Sequence, residues 1–469
     1  MLISLIALII SIILYYLAPD KYSYGYCVLL TIFFILSSIR IIQNVTINRN
    51  FFNFHTLFII SFFFVNFVYP VFLYPNSPFY FSVFKKDFNH DVITKATALA
   101  LIGSCSYNLG VSLFYKRDYE YATIKDTNPG TILFLLTNWL YLVFILLILF
   151  AGKEMFQGNF GSTLHIPTGL LVIFQISLSL AVLLVILTRS YSNSFLGLIR
   201  KFNIGILLLL FVYILLFIYT GDRGPVIQIV IFTLGAFTFL VKPMKFRRFI
   251  LIVIAGMLIL TFVSYARSKN ATATDQKGIS GFVERGIKNM KINSFFDLGM
   301  DLIVCNRNLY AGFDYVNRNG INYGKSMSYY VFSPIPFLPT LMTRLFFYSD
   351  PVNLTTASII TKEAKATYGL GTNIIADLYM AFGIVGVIVF MLLLGIIVIN
   401  FERKAYFSRR MNYIIAYLLL LGFSVYLART SILFPLRYIL WAILLYELFK
   451  RFRILLIKFA SRNNIIQNQ

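Results

Sequence analysis

Residues 202–265, FNIGILLLLFVYILLFIYTGDRGPVIQIVIFTLGAFTFLVKPMKFRRFILIVIAGMLILTFVSY, hold three apolar runs separated by two short polar breaks. The runs lie near 202–220, 224–241 and 248–265, and each approaches the roughly 20 apolar residues that a helix needs to cross a bilayer core of about 30 Å. The first break holds one base, Arg223, whereas the second holds Lys242, Lys245, Arg247 and Arg248. Short cytoplasmic loops retain Lys and Arg. This stretch therefore predicts three membrane helices, with the second break inside the cell and the first outside.

Similar runs occur near 2–18, 25–43, 54–75, 92–115, 130–151 and 165–188, and again near 371–399, 411–428 and 430–449. The reading is an all-α, polytopic membrane helical bundle of about twelve spans. Composition agrees: 59% of the 469 residues are hydrophobic and only 13% charged, more apolar sequence than a soluble core absorbs. The net charge of +23 does not indicate a nucleic-acid partner, because the bases are scattered between apolar runs rather than gathered on one soluble domain.

The bases alternate along the chain. Arg40 and Arg49; Lys116, Arg117 and Lys125; Arg189, Arg200 and Lys201; the 242–248 cluster; Arg403, Lys404, Arg409 and Arg410; and Lys450, Arg451, Arg453, Lys458 and Arg462 fall on one side. The alternate short loops hold only Lys21, Lys85, Lys86, Lys153, Arg223 and Arg429. Both termini are thus expected in the cytoplasm. Leu2–Ala18, with no base before it and no small-x-small pattern after it, reads as a retained first span rather than a cleaved signal.

One connection is long. It divides the chain into 1–265 (nine spans), a 266–370 extracytoplasmic loop, and 371–469 (three spans and a basic tail). The loop is polar around Lys269–Lys277, then apolar at Phe295–Tyr310 and Tyr329–Tyr348. Pro334, Pro336 and Pro339 break the last stretch, which predicts short interfacial or re-entrant helices rather than a full span. Tyr310, Tyr315, Tyr323, Tyr329 and Tyr330 give the loop aromatic side chains suited either to sugar rings or to an interfacial belt.

Charge within an apolar helix costs about 2.5–3.5 kcal/mol on insertion scales, so each instance needs a reason. Tyr219-Thr-Gly-Asp-Arg-Gly-Pro225 sets Arg223 beside a helix N-terminus, an electropositive place suited to phosphate; the plainer alternative is a snorkelling Arg223 with Asp222 as a cap. Arg267 leaves the next helix and Arg429 precedes the last one, both at the same level. Asp377, in Gly371-Thr-Asn-Ile-Ile-Ala-Asp377, is expected about 9 Å inside its helix. Asn373 is expected one turn earlier on the same face. Arg437 reaches a similar depth on the last helix, where Pro435 should loosen the backbone; Asp377 and Arg437 are candidates for an ion pair. Isolated His55, His90 and His165, and Cys27, Cys105 and Cys305 without metal spacing, predict neither a catalytic metal nor a disulfide framework, and no cofactor.

Thr220-Gly-Asp-Arg-Gly-Pro225, Tyr265-Ala-Arg267, and Gly371-Thr-Asn-Ile-Ile-Ala-Asp-Leu-Tyr379 followed by Gly383-Ile-Val-Gly386 resemble the Arg-Gly turn, helix-end arginine and late acidic-Leu-Tyr helix of the oligosaccharide repeat-unit polymerases, the Wzy-type O-antigen and capsule polymerases. Asp377 stands where many members carry Glu. The resemblance implies a GT-C-like architecture in the bacterial cytoplasmic membrane. It also implies undecaprenyl-diphosphate-linked oligosaccharides as substrates, polymerised on the extracytoplasmic face, and a chain-length regulator as a partner besides membrane lipid. Arginines then stabilise the lipid diphosphate leaving group without a metal: Arg223, Arg267 and Arg429 first, Arg344 and Arg437 after. A carboxylate takes the acceptor proton, with Asp377 first and Asp301 and Asp222 following. A lipid-linked oligosaccharide flippase and an O-antigen ligase are the alternatives; the long loop speaks against the flippase.

Overall fold

The computed structural model describes residues 1–46, 50–85, 89–115, 129–151, 166–188, 197, 202–266, 279–290, 292, 294–348, 350–366 and 369–467. Arg49, Lys86, Lys116, Arg117, Lys125, Lys153, His165, Arg189, Arg200, Lys201, Arg267 and the 269–277 stretch lie outside these residues.

The described residues are helical, with no strand among them. Each predicted apolar run carries a helix. These are α1 (Leu2–Tyr16), α2 (Tyr24–Val45), α3 (Phe54–Asn66), α4 (Ile93–Phe114), α5 (Pro129–Phe150), α6 (Thr168–Thr188), α7 (Ile204–Tyr219), α8 (Gly224–Leu240) and α9 (Phe246–Ala266). The long connection adds α10 (Ile279–Asn289), α11 (Asn306–Asn319), α12 (Leu338–Phe347), α13 (Thr356–Glu363) and shorter turns. After it come α14 (Ile374–Ser408), α15 (Met411–Leu427) and α16 (Leu436–Gln467). Six of these, α2, α4, α5, α6, α9 and α14, are long and apolar enough to cross a membrane by length and composition. Tyr329–Tyr348 forms no full span, as its prolines predict; it holds the short helices Ser328–Phe332 and α12.

Two compact units can be distinguished. The first comprises 1–121, 294–407 and 423–437. Its centre is α4, buried almost continuously from Ile93 to Val111 and packed by α1 and α2. Against it runs α14, and the crossing is close enough that a Cβ on Gly110 would strike the Leu392 carbonyl and one on Gly395 the Tyr107 carbonyl. Small residues let two backbones approach this way where lipid supplies no hydrophobic drive between helices.

Within the same unit α14 is broken. Gly383 has φ 67° and ψ −156°, a region essentially restricted to glycine, so Ile374–Phe382 forms a half-helix ahead of the main span. The break frees carbonyls that need donors: Asn322 N–H donates to Met380 O (2.8 Å) and Gly324 N–H to Ala381 O (3.1 Å). The loop backbone thus completes the half-helix.

The second unit comprises 122–293, 408–422 and 438–469. Here α6 packs on α5 and α8, and the buried Gln175 amide donates to Gln228 at 2.5 Å. Gly221, with φ 74°, makes the tight turn into α8, whose first turn holds Pro225. Phe282 of α10 packs on Phe262, Val263 and Ala266 of α9 and on Ile218 and Tyr219 of α7.

Candidate functional site

The half-helix Ile374–Phe382 has a buried start that carries Asn373 and Asp377. Asn373 is its cap rather than a residue of its face: Oδ1 accepts from Ile375 N–H (2.8 Å) and Ala376 N–H (3.4 Å), while Nδ2 donates to Asn66 Oδ1 (2.9 Å) at the end of α3. Ile374 N–H donates to Ala428 O (3.2 Å), which satisfies another free donor of the first turn.

Asp377 is fully buried, four residues into the helix, about 4.5 Å along its axis rather than the 9 Å expected. Its Oδ1 accepts from the Thr356 hydroxyl (2.6 Å) at the start of α13. Its Oδ2 has the buried Ser431 hydroxyl beside it without a formed hydrogen bond. The expected ion pair with Arg437 is not formed. The last helix starts at Leu436, after Pro435 rather than through it, so Arg437 is its second residue instead of lying a turn or two inside. In the loop, burial together with the field of the Asp377 carboxylate pushes the Tyr330 phenol up, keeping it a donor.

Arg429 lies in the turn between α15 and α16. Its Nη1 donates to the backbone carbonyl of Asp301 (3.0 Å), and its guanidinium lies 5.1 Å from the Tyr426 ring centroid. Asp301 therefore meets Arg429 through its main chain. Nearby loop residues missed in the sequence extend this polar core. Buried Asn308 donates to Leu370 O and Thr372 O, Asn306 to Val65 O, and buried Arg307 to Val83 O. Such residues carry no motif, since their partners lie far away in the chain. Arg344 is apart from them, 68% exposed and paired with exposed Asp350 at 3.2 Å. Among the loop tyrosines, Tyr310 is buried and Tyr323 is 79% exposed, so they do not form one aromatic surface.

In the second unit, Arg223 Nη1 donates to Leu260 O (3.3 Å) and Asp222 Oδ1 accepts from Gly224 N–H (3.3 Å), stabilising the start of α8. Arg285 of α10, unforeseen, donates to Ala266 O (3.2 Å) at the end of α9. Arg223 and Arg285 thus both bind carbonyls of the last turns of α9. Arg267 follows that end but lies outside the described residues.

His55 is not isolated. Its ring bonds Glu402 Oε2 (3.1 Å) and the Tyr107 hydroxyl (2.6 Å), all buried, tying α3, α4 and α14 together. Glu402 lies 25 residues beyond Asp377, roughly 37 Å of helix, so this triad is remote from the half-helix. Among the described residues no three His, Cys, Asp or Glu side chains are placed to share a metal ion.

A bundle of apolar helices, a long loop folded into short helices, and a buried carboxylate at a broken helix define a polytopic membrane protein with a polar centre at the loop end of its spans. The sequence model of the family O-antigen polysaccharide polymerase Wzy matches residues 1–457, and the chain belongs to that family. It is a multi-pass bacterial membrane protein of the polysaccharide polymerases, which act on lipid-linked oligosaccharide repeat units. No curated protein and no solved structure matches the chain.

Proposed function

We propose that the chain moves a growing glycan from undecaprenyl diphosphate onto the terminal hydroxyl of an incoming lipid-linked repeat unit, on the extracytoplasmic face of the cytoplasmic membrane. The bond from the anomeric carbon to the diphosphate oxygen breaks, and a glycosidic bond forms to the acceptor oxygen. The acceptor proton goes to a carboxylate; the electron pair leaves with the lipid diphosphate.

The observation that carries this reading is Asp377. One carboxylate oxygen is held by Thr356 of the loop and the other accepts no hydrogen bond, as suits a group that receives a proton once loop and acceptor exchange places. Asp301 and Asp222 are weaker bases: Asp301 anchors Arg429 through its carbonyl and Asp222 forms the turn before α8. Guanidinium groups held in place stabilise a departing diphosphate without reorganisation; in the first unit Arg429 is assigned to this work without a metal, with Arg437 following, and Arg223 and Arg267 are assigned to it from the sequence alone. The basic residues at alternate breaks support cytoplasmic termini and an extracytoplasmic loop. Control of chain length by a separate protein belongs to the same proposal.

The test is reconstitution of the purified protein with lipid-linked repeat units in chelator. Products lengthened by whole repeats are expected, and none from Arg429→Ala or Arg223→Ala that remain inserted and folded. Leaflet exchange without lengthening, or full ladders from both variants, would overturn the proposal.

A further inference from the structure

We propose that α12 is seated in the membrane interface, its occupant being bilayer lipid: acyl chains against Phe337, Leu341, Leu345 and Phe346, and lipid phosphate at Arg344. This inference does not rest on the catalytic assignments. Phe337 is 88% exposed, Leu341 55%, Leu345 60% and Phe346 66%. Leu341 and Leu345 are four positions apart and share a face of α12, the cap Phe337 extends that spacing, and Phe346 stands open to one side near the other end. Thr343, on the opposite side, is fully buried. The helix therefore has one face packed and one apolar face open, a pattern that marks an interaction surface.

The level of this part of the loop, set against the open apolar side chains of the span, identifies the occupant. Tyr323, 79% exposed, lies between the residues whose N–H groups bond Met380 O and Ala381 O. It therefore sits at the level of the α14 break. The next side chains along α14 are Phe382, stacked on Phe390 with ring centroids 5.4 Å apart, and the exposed Val385 and Val389. The loop's open apolar side chains thus begin where those of the span begin.

A second contact fixes the depth of α12. Ser328–Phe332 packs on α12, and its Tyr330 ring meets Phe434 in the turn before the last span at 6.4 Å, edge to face. The helix is held at the level where spans end.

Charge complements this placement. Arg344, in the last turn, is exposed and bonded only at its edge to exposed Asp350. An apolar helix face with a basic residue at its margin is the form that binds acyl chains and lipid phosphate together. Arg344 is thereby assigned to lipid rather than to the leaving diphosphate. From Asp350 the chain runs through Pro351–Leu354 to Thr356, so the lipid seat adjoins the segment that holds Asp377.

The experiment uses the full chain in lipid nanodiscs, spin-labelled one site at a time at Leu341→Cys and Phe346→Cys, with Asn317→Cys on α11 as a water-facing reference. The native cysteines are buried and contribute little label. The expected result is access to molecular oxygen exceeding access to a nickel chelate several-fold at 341 and 346, with the order reversed at 317. Chelate access at 341 and 346 equal to that at 317 would overturn the proposal. So would exclusion of both relaxants with broadening that vanishes on dilution with unlabelled protein, since that places a second copy on the face. The unaltered protein supplies an independent readout: an acyl-chain diazirine phospholipid should crosslink within 337–348, and absence of adducts there counts against the seat.

Discussion

Asp377 and Glu402 show two uses of a buried carboxylate on one helix. Asp377 retains an oxygen without a hydrogen bond, whereas Glu402 is bonded to His55 in a triad with Tyr107. Asp377→Asn is expected to reduce repeat-unit transfer by about 100-fold or more, the usual scale of general-base loss, with thermal unfolding in detergent barely shifted. Thr356→Val should retain most activity, because it removes a holder of the carboxylate and not the carboxylate. Transfer rates and unfolding midpoints measured together separate these outcomes; wild-type rates from the Asn variant would dismiss the base assignment. Glu402→Leu should behave in the opposite way, destabilising the folded protein by about 2–3 kcal/mol through loss of a buried hydrogen bond, which a midpoint measurement reads directly. Residue identity alone did not reveal these differences. Asp377 stood out because acids are rare in apolar runs, but Thr356 and Asn66 are ordinary residues whose partners lie 21 and 307 positions away.

Among the elements, α14 carries most of the consequences. Gly383→Ala places a Cβ at φ 67° and is expected to cost about 1–3 kcal/mol. It should also loosen the Asn322 and Gly324 hydrogen bonds, seen as faster amide exchange at those residues. Gly395→Leu should instead push α14 from α4 and lower the unfolding midpoint, because its Cβ meets backbone that cannot turn aside. Unchanged midpoints for both would show that the break and the crossing carry no strain. The apolar runs made these helices readable, since length and hydropathy are properties of a single segment. The break was not readable, because Gly383 in an apolar run is equally compatible with close helix packing. The start of the last helix shifted from about 430 to 436 for a local reason: Pro435 favours a helix beginning just after it.

At the scale of the whole molecule, the alternation of basic residues predicts that Asn317→Cys reacts with a membrane-impermeant thiol reagent applied to intact cells and that a cysteine placed at the C-terminal tail does not. The buried native cysteines keep the background low. Labelling of the tail and not of residue 317 would reverse the orientation. Family membership over residues 1–457 agrees with the polytopic plan read from the apolar runs. The polar centre was only partly readable, as Arg429 was found by its position but its anchor is a main-chain carbonyl, which no side-chain pattern encodes.

The broken start of α14 also imposes an order on biosynthesis. The donors for its freed carbonyls, Asn322 and Gly324, leave the ribosome before Met380 and Ala381, but the Ala428 carbonyl and Ser431 hydroxyl that adjoin its first turn emerge some fifty residues later. A nascent chain stopped after α14 has its loop and its carboxylate but lacks that closing turn. The polar centre is thus completed only near the end of translation, when most of the spans have already been handed to the bilayer.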